Sequence, residues 1–349
     1  MGWVVGWRSF VRVAPEHIRC GADPSRFSGP FSCHFDPIMS TASDPRLSLS
    51  AQAARNLATA TVTSPQWSEI TPRWLQKLLP WIDVDGGVYR VNQVVRKDPT
   101  VSLLTSDGGE PVLPTTFVDY DVDPREYHLS TIQTILRTHT RVTDLYSNRI
   151  DQLREQVRLT VEAVKEREEW ELINHPVFGL FNEVAPAQRI NTRKGTPTPD
   201  DLDELLTLVW KKPAFFLAHP RAIGAFGREA TRRGVPPPTV TIFGSPFITW
   251  RGIPLIPSDK LQIGEDGKTS ILLLRVGEAQ QGVVGLQKAG VAGEVEPGLS
   301  VRYMGTNENS VASHLVTRYF SAAVLTEDAI ARLDDVSVGS YHEYVYPQA

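Results

Sequence analysis

Apolar positions between Ala214 and Lys260 change period several times, and each change marks a new element. Ala214–Ala218 is a short apolar run, the pattern of a buried strand. Pro220 follows, and it opens a helix without needing an N–H of its own. Ile223, Phe226 and Ala230 then recur at helical spacing, Arg228, Arg232 and Arg233 load the C-terminal half, and Gly234 with Pro236 supplies the stop. Thr239–Phe243 and Phe247–Trp250 alternate or run apolar as strands, and Arg251-Gly252 lets the chain turn sharply before Ile253-Pro254-Leu255.

The same reading covers the flanks. Thr71–Trp81 is predicted as a short amphipathic helix with Thr71 as N-cap, Pro72 in the first turn, and Trp74, Leu75, Leu78 and Leu79 on its apolar side. Val88–Val95 and Val101–Leu104 alternate as strands around the turn residues Ser106-Asp107-Gly108-Gly109, with Pro111 and Pro114 discouraging edge pairing. Such a hairpin cannot bury both faces alone; it is either covered by a partner or is a bare surface hairpin.

The longest helix is placed at about Arg149–Ile173, capped by Ser147 or Asn148, with the stripe Ile150, Leu153, Val157, Val161 and Val164. Its charges, from Arg154 to Glu168, are expected to form solvated i,i+3 and i,i+4 pairs worth a few tenths of a kcal/mol each, on the order of 0.3. Thr198 onward starts another helix through Pro199, Asp200, Asp201 and Glu204, turning Leu202, Leu205, Leu206, Val209 and Trp210 inward. Leu299–Met304 reads as a strand, and Val311–Leu325 as an amphipathic, aromatic-rich segment that closes a core.

The strand–helix–strand–Gly-x-Pro order resembles the part of tailed-phage major capsid proteins that leads into their A-domain. A closer resemblance, to family 2A encapsulin shell proteins, rests on ITPRWLQKLLPW (Ile70–Trp81), GVYRVNQV (Gly87–Val94), FVDYDVDPREY (Phe117–Tyr127), DLYSNRIDQLREQ (Asp144–Gln156), TPDDLDELL (Thr198–Leu206) and ILLLRVGEAQQGVVGL (Ile271–Leu286). It spans about Leu47–Tyr344. The resemblance implies an α+β chain with the tailed-phage major capsid protein fold: a P-domain with a long spine helix, an A-domain, an extended E-loop and an N-terminal arm. It implies the parts 44–86 as arm and short helix, 87–116 as E-loop, 117–197 as P-domain with spine helix, 198–298 as mainly A-domain and 299–349 as P-domain return. Residues 1–38 lack sustained periodicity, and the likeness begins only after Met39, so 1–43 is read as a disordered leader or a misassigned start. Asp44–Ser64 is small, polar and weakly helical, read either as the arm lying on neighbouring subunits or as a flexible tail.

Composition narrows the function. The 349 residues have room for one large or two modest cores, and a formal charge of −4 leaves no electrostatic footprint for nucleic acid. Cys20 and Cys33 are the two cysteines, so the body after Met39 has no thiol for a disulfide, metal knuckle or nucleophile. No stretch is apolar enough to read as a transmembrane helix, and the opening segment lacks a clean signal-peptide pattern, so a cytoplasmic protein is the default.

Candidate chemistry fails on context. Gly267-Lys268-Thr269 imitates a phosphate loop, but Gln262 stands where its first glycine belongs and a strand follows, so a hairpin turn is expected. Asp200, Asp201, Asp203 and Glu204 suit a helix dipole better than a hard cation. None of the eight histidines is paired at metal-ligand spacing, and His219 is expected to be structural. Gly244-Ser245-Pro246 lacks the frame of a serine nucleophile.

The residues thus point to a structural subunit with no cofactor of its own. By resemblance it self-assembles into an icosahedral shell around a cysteine desulfurase cargo that carries pyridoxal phosphate. Leu47, Leu49, Val88, Tyr89, Val91, Asp107, Gly108 and Gly109 are the candidate assembly contacts. An enzyme of unrecognised type and a peripheral membrane protein, the latter resting on the Trp74–Trp81 helix, are the competing readings.

Overall fold

The computed structural model describes residues 69–91, 104, 112, 114–115, 123–139 and 152–341. The chain separates into two units, Met1–Ala42 and Ser43–Ala349, and every described residue lies in the second.

A seven-stranded sheet is built where the sequence is most continuously apolar. Its order is β5 (Arg189–Asn191), β15 (Ile330–Ser337), β10 (Lys268–Leu274), β6 (Phe215–Ala218), β9 (Ile253–Pro257), β8 (Ser245–Trp250) and β7 (Thr239–Ile242). Side chains alternate across a strand, so a run apolar at every position serves two cores at once. Phe216, Ala218, Ile271 and Leu273 face one core with α3 (Pro199–Leu208) and α4 (Pro220–Arg232), which contribute Leu202, Leu205, Ala222, Phe226 and Ala230. Phe215, Leu217, Leu272 and Leu274 face the other.

That second core is shared with a six-stranded sheet. Its path runs β1 (Trp81–Asp83), β11 (Val283–Gln287), β14 (Val311–Val324), β13 (Leu299–Thr306) and β12 (Glu294–Glu296), with β4 (Ser130–His139) also paired to β14. Val283, Phe320, Ala322 and Val324 carry it into the shared core. β1 pairs parallel with β11, placing Trp81 opposite Gly285, where an added Cβ would lie 2.7 Å from the indole. Glycine is required there by close approach. The long helix α2 (Gln152–Asn174) packs against this sheet through Val161 and Val164, which meet Ile132, Leu299, Val301 and Val316.

Several expectations hold to within a residue or two: the strand before Pro220, the helix it opens, the hairpin after it and the strand at Leu299. Val311–Leu325 proves to be the long strand β14, central to its sheet. Four details differ. The helix near Thr71 is only α1 (Trp74–Leu78), entered through Arg73 at φ 35° with no side-chain cap from its own segment, and Trp81 already belongs to β1. Trp210 lies beyond the end of α3, because Val209 leaves helical geometry, and it is 71% exposed instead of turned inward. Leu153 of the predicted stripe is also exposed. Phe243 belongs to no strand: with φ 50°, next to Gly244 at φ 77°, it forms the tip between β7 and β8. The predicted cap at Ser147 or Asn148, Ile150, and the hairpin tip at Asp107 lie outside the described residues.

Candidate assembly interface

Three acids of the spine helix, expected to be solvated, are turned inward. Glu162, Glu168 and Glu169 are buried, and each meets a distant part of the chain. Glu162 takes Arg73 at 2.6 Å. Glu166 takes Arg73 at 3.1 Å, the Thr71 hydroxyl at 2.7 Å, the Thr71 N–H at 3.1 Å and Lys260 at 2.7 Å. One turn on, the Glu169 carboxylate accepts the Leu75 N–H at 3.2 Å. This is why α1 has no cap of its own: Thr71 donates to the spine helix, and an acid of that helix covers an orphan N–H at the N-terminus of α1.

On another face, Glu168 pairs with Arg318 of β14 at 2.7 Å, with both side chains buried. Arg318 also donates to the Pro297 carbonyl and lies 5.2 Å from the Trp81 ring centroid. The long helix therefore ties α1, the loop after β9 and β14 together through specific ion pairs. Glu155–Arg158 and Arg167–Glu171 are within-helix pairs of the expected kind.

These surroundings move the acids in different directions. Burial works to raise Glu166, but hydrogen bonds from Lys260, Thr71 and Arg73 prevail and hold it below the ordinary value. Burial raises Glu168 in spite of Arg318. Burial pushes Glu169 up to about 7.

Of the candidate assembly residues, Val88, Tyr89 and Val91 lie on β2 (Val88–Val91), paired antiparallel with β3 (Arg125–His128). Tyr89 stands opposite Tyr127 and donates to Glu278 at 3.1 Å, while Tyr127 donates to the Val324 carbonyl at 2.7 Å. Tyr89 and Val91 pack onto a small core of Val84, Tyr127, Val284, Leu286, Ala323 and Leu325. The root of the proposed E-loop is thus anchored in its own subunit. Leu47, Leu49, Asp107, Gly108 and Gly109 lie outside the described residues.

Exposed apolar side chains that the sequence reading missed include Trp210, Ile135, and the adjacent Tyr303 and Met304 on β13. A signal existed for Trp210, since Lys211-Lys212-Pro213 breaks the helix immediately after it. Periodicity gave none for Tyr303 and Met304, which sit beside an irregularity in the β13–β14 register. Trp74 is 8% exposed and meets Phe247 edge-on at 5.1 Å, so it is committed to the subunit core and not displayed to a bilayer.

The acids of α3 all have protein partners. Asp201 closes a capping box with Thr198, Asp203 takes Trp250 Nε1 at 2.7 Å and Arg251 at 2.9 Å, Asp200 takes Arg233 at 3.0 Å, and Glu204 takes Arg193. Gly264–Lys268 forms a turn that leads into β10, with no helix behind it. His219 caps α4 by accepting the Arg221 N–H at 3.1 Å. Among the described residues, no group of acids, histidines or cysteines is arranged to hold a metal, and no helix is long and apolar enough to cross a membrane.

A spine helix laid on one sheet, with a second sheet carrying two helices, is the layout of capsid subunits. The capsid of cyanophage P-SCSP1u superposes with a TM-score of 0.53 over 79% of this chain and 91% of its own, at 11% identity, a likeness of fold alone. The chain belongs to the type 2A encapsulin shell proteins: the SrpI-like profile of that family matches residues 89–340. The type 2A encapsulin shell protein SrpI of Synechococcus elongatus is 61% identical over 86% of this chain and 98% of its own length. The cryo-electron microscopy structure of the holo-SrpI encapsulin complex from that organism matches with a TM-score of 0.74 at 59% identity, covering 85% of this chain and 99% of that one. The relatives are shell proteins, not enzymes, and this chain is likewise a structural component of a nanocompartment.

Proposed function

We propose that the chain closes with copies of itself into an icosahedral shell that encloses a pyridoxal-phosphate cysteine desulfurase in the cytoplasm, and so serves sulfur metabolism. Likeness to SrpI over nearly the whole of that protein's length carries this reading, because the solved SrpI assembly is a holo complex. The family 2A resemblance supplies the cargo. A body free of cysteine from residue 39 onward agrees with a container that leaves thiol chemistry to its contents.

The subunit's parts take roles accordingly. The parts 117–197, with the spine helix, and 299–349 are the P-domain and 198–298, with α3 and α4, is mainly the A-domain; β5 and β15 join the seven-stranded sheet from the former, and β11 and β12 the six-stranded sheet from the latter. The arm around Leu47 and Leu49 and the E-loop from Val88 through Asp107, Gly108 and Gly109 reach neighbouring subunits. Closed symmetry lets every such contact be satisfied without open-ended growth. Imaging particles from the native host by electron microscopy, with proteomics of what co-purifies, tests both levels: hollow shells with a stoichiometric cysteine desulfurase are expected. Shells that consistently hold a different enzyme would overturn the cargo and leave the shell standing.

A further inference from the structure

Helix α1 has five residues, far below the length at which a helix holds together in water on its own. Its hold on the body therefore decides whether it exists. Three acids on successive turns of α2 face it, and two of them have cations: Glu162 and Glu166 share Arg73, and Glu166 also takes Lys260. Glu169 is different. Its carboxyl group is buried, with the residue 2% exposed, and among the described residues its bonded partner is the Leu75 N–H.

The charged groups around Glu169 are otherwise occupied. On α1, Arg73 is held as above and Lys77 pairs with Glu69 at 2.9 Å. On α2, Lys165 pairs with Glu296 at 2.7 Å, and Glu168 with Arg318 of β14 at 2.7 Å. In the loop after β9, Lys260 lies between Glu166 at 2.7 Å and Asp259 at 2.9 Å. Among the described residues, an ionised Glu169 would therefore be buried beside two further acids with no cation bound to it, the situation in which a carboxyl group keeps its proton.

What depends on α1 extends past the helix. Trp74 stacks on Phe243 with ring centroids 6.1 Å apart and meets Phe247 edge-on, so α1 touches one side of the β7–β8 hairpin, whose tip residue Phe243 stays 63% exposed. Phe243 holds a left-handed backbone, a conformation that persists only where its surroundings fix it. Loosening α1 removes the Trp74 ring from that contact.

We propose that Glu169 is a proton-operated latch: a proton on this buried carboxyl group keeps α1 fastened to the spine helix, and losing it loosens α1 together with the β7–β8 hairpin. The direction follows from linkage. Burial first, then the neighbouring Glu166 and Asp259, raise the docked group to about 7, against the Leu75 N–H and Lys260, while a solvated glutamate has the ordinary value of 4.5. Docking thus binds a proton between those values, so the opening constant of α1 rises with pH across that interval, by up to about tenfold per unit, and levels off above it.

Amide hydrogen exchange on assembled shells of the full chain, followed by mass spectrometry from pH 5 to 8 and corrected for intrinsic exchange rates, reads this directly. The peptide covering Trp74–Leu78 is compared with one from β10 as internal reference. In the unsubstituted chain, α1 opening should increase about tenfold per pH unit from 5 to near 7 and then level, with β10 unchanged. Glu169→Gln, which offers the same carbonyl acceptor and cannot ionise, should flatten the profile. A flat profile in the unsubstituted chain, or the same slope in Glu169→Gln, overturns the proposal. If Glu169→Gln forms no shells, Lys260→Met replaces it: losing that cation should move the midpoint to higher pH, and an unmoved midpoint rejects the latch.

Discussion

The two faces of α2 and the two faces of the seven-stranded sheet are buried to similar depth by opposite means. Along Phe215–Ala218 and Ile271–Leu274, runs apolar at every position feed two cores, and no side chain of these runs has to find a particular polar partner. Beneath α1 and β14, the spine helix buries acidic side chains, and each is matched to one cation or N–H far away in sequence. The first kind of burial tolerates any side chain of similar volume. The second fails when one member is lost, because the remaining charge is left buried.

Removing one partner of Glu168–Arg318 is the strongest test of that contrast. Arg318→Met should destabilise the subunit by about 3–5 kcal/mol, whereas the double change with Glu168→Leu should recover most of the loss. Thermal unfolding midpoints of purified shells measure both; equal losses in the single and double variants would put the apolar neighbours, not the pair, in charge. Gly285→Ala comes next. Its Cβ must displace the Trp81 ring, and overpacking of this kind costs about 1–3 kcal/mol, read in the same assay. Thr198→Ala removes the capping box of α3 and should cost about 1 kcal/mol.

A smaller and pH-confined effect belongs to Asp328. Burial works to raise its pKa, but hydrogen bonds from Arg275, Lys211 and Thr326 prevail and hold it well below the ordinary value of 3.8. Its contribution is therefore complete above that value and is lost as pH falls through the lower, folded one. Asp328→Asn should be less stable at neutral pH and should lose less than the unsubstituted chain on acidification; acid melts of the two check it. Trp210→Ala should be smallest within the subunit, within about 0.5 kcal/mol, since the ring is exposed. A large loss of shells with an unchanged subunit core would mark Trp210 as an inter-subunit contact.

The same contrast explains what the sequence disclosed. Phe215–Ala218, Ile271–Leu274 and the Pro220 helix were legible because burial by an apolar run leaves its period in the chain. The helix start at Thr198 was legible because its proline and acids crowd one turn, although the capping box that Asp201 closes on Thr198 was not read from it. The inward charges of α2 were not, since a glutamate that meets Arg318 or the Leu75 N–H looks like one that faces water; the partner is about a hundred residues or more away. Thr71 misled for the same reason: a good capping residue was already engaged by Glu166. Of the candidate assembly residues, the β2 positions were placed correctly on a strand, but their packing onto β3 and β11 depends on contacts that no local pattern records.

Cryo-electron microscopy of the full chain, purified without any partner, tests the central claim most directly. Closed hollow particles, in which α2 and the six-stranded sheet of every subunit sit in the same capsid-type arrangement, are the expected result. Well-folded monomers or small oligomers that persist at high protein concentration would contradict it.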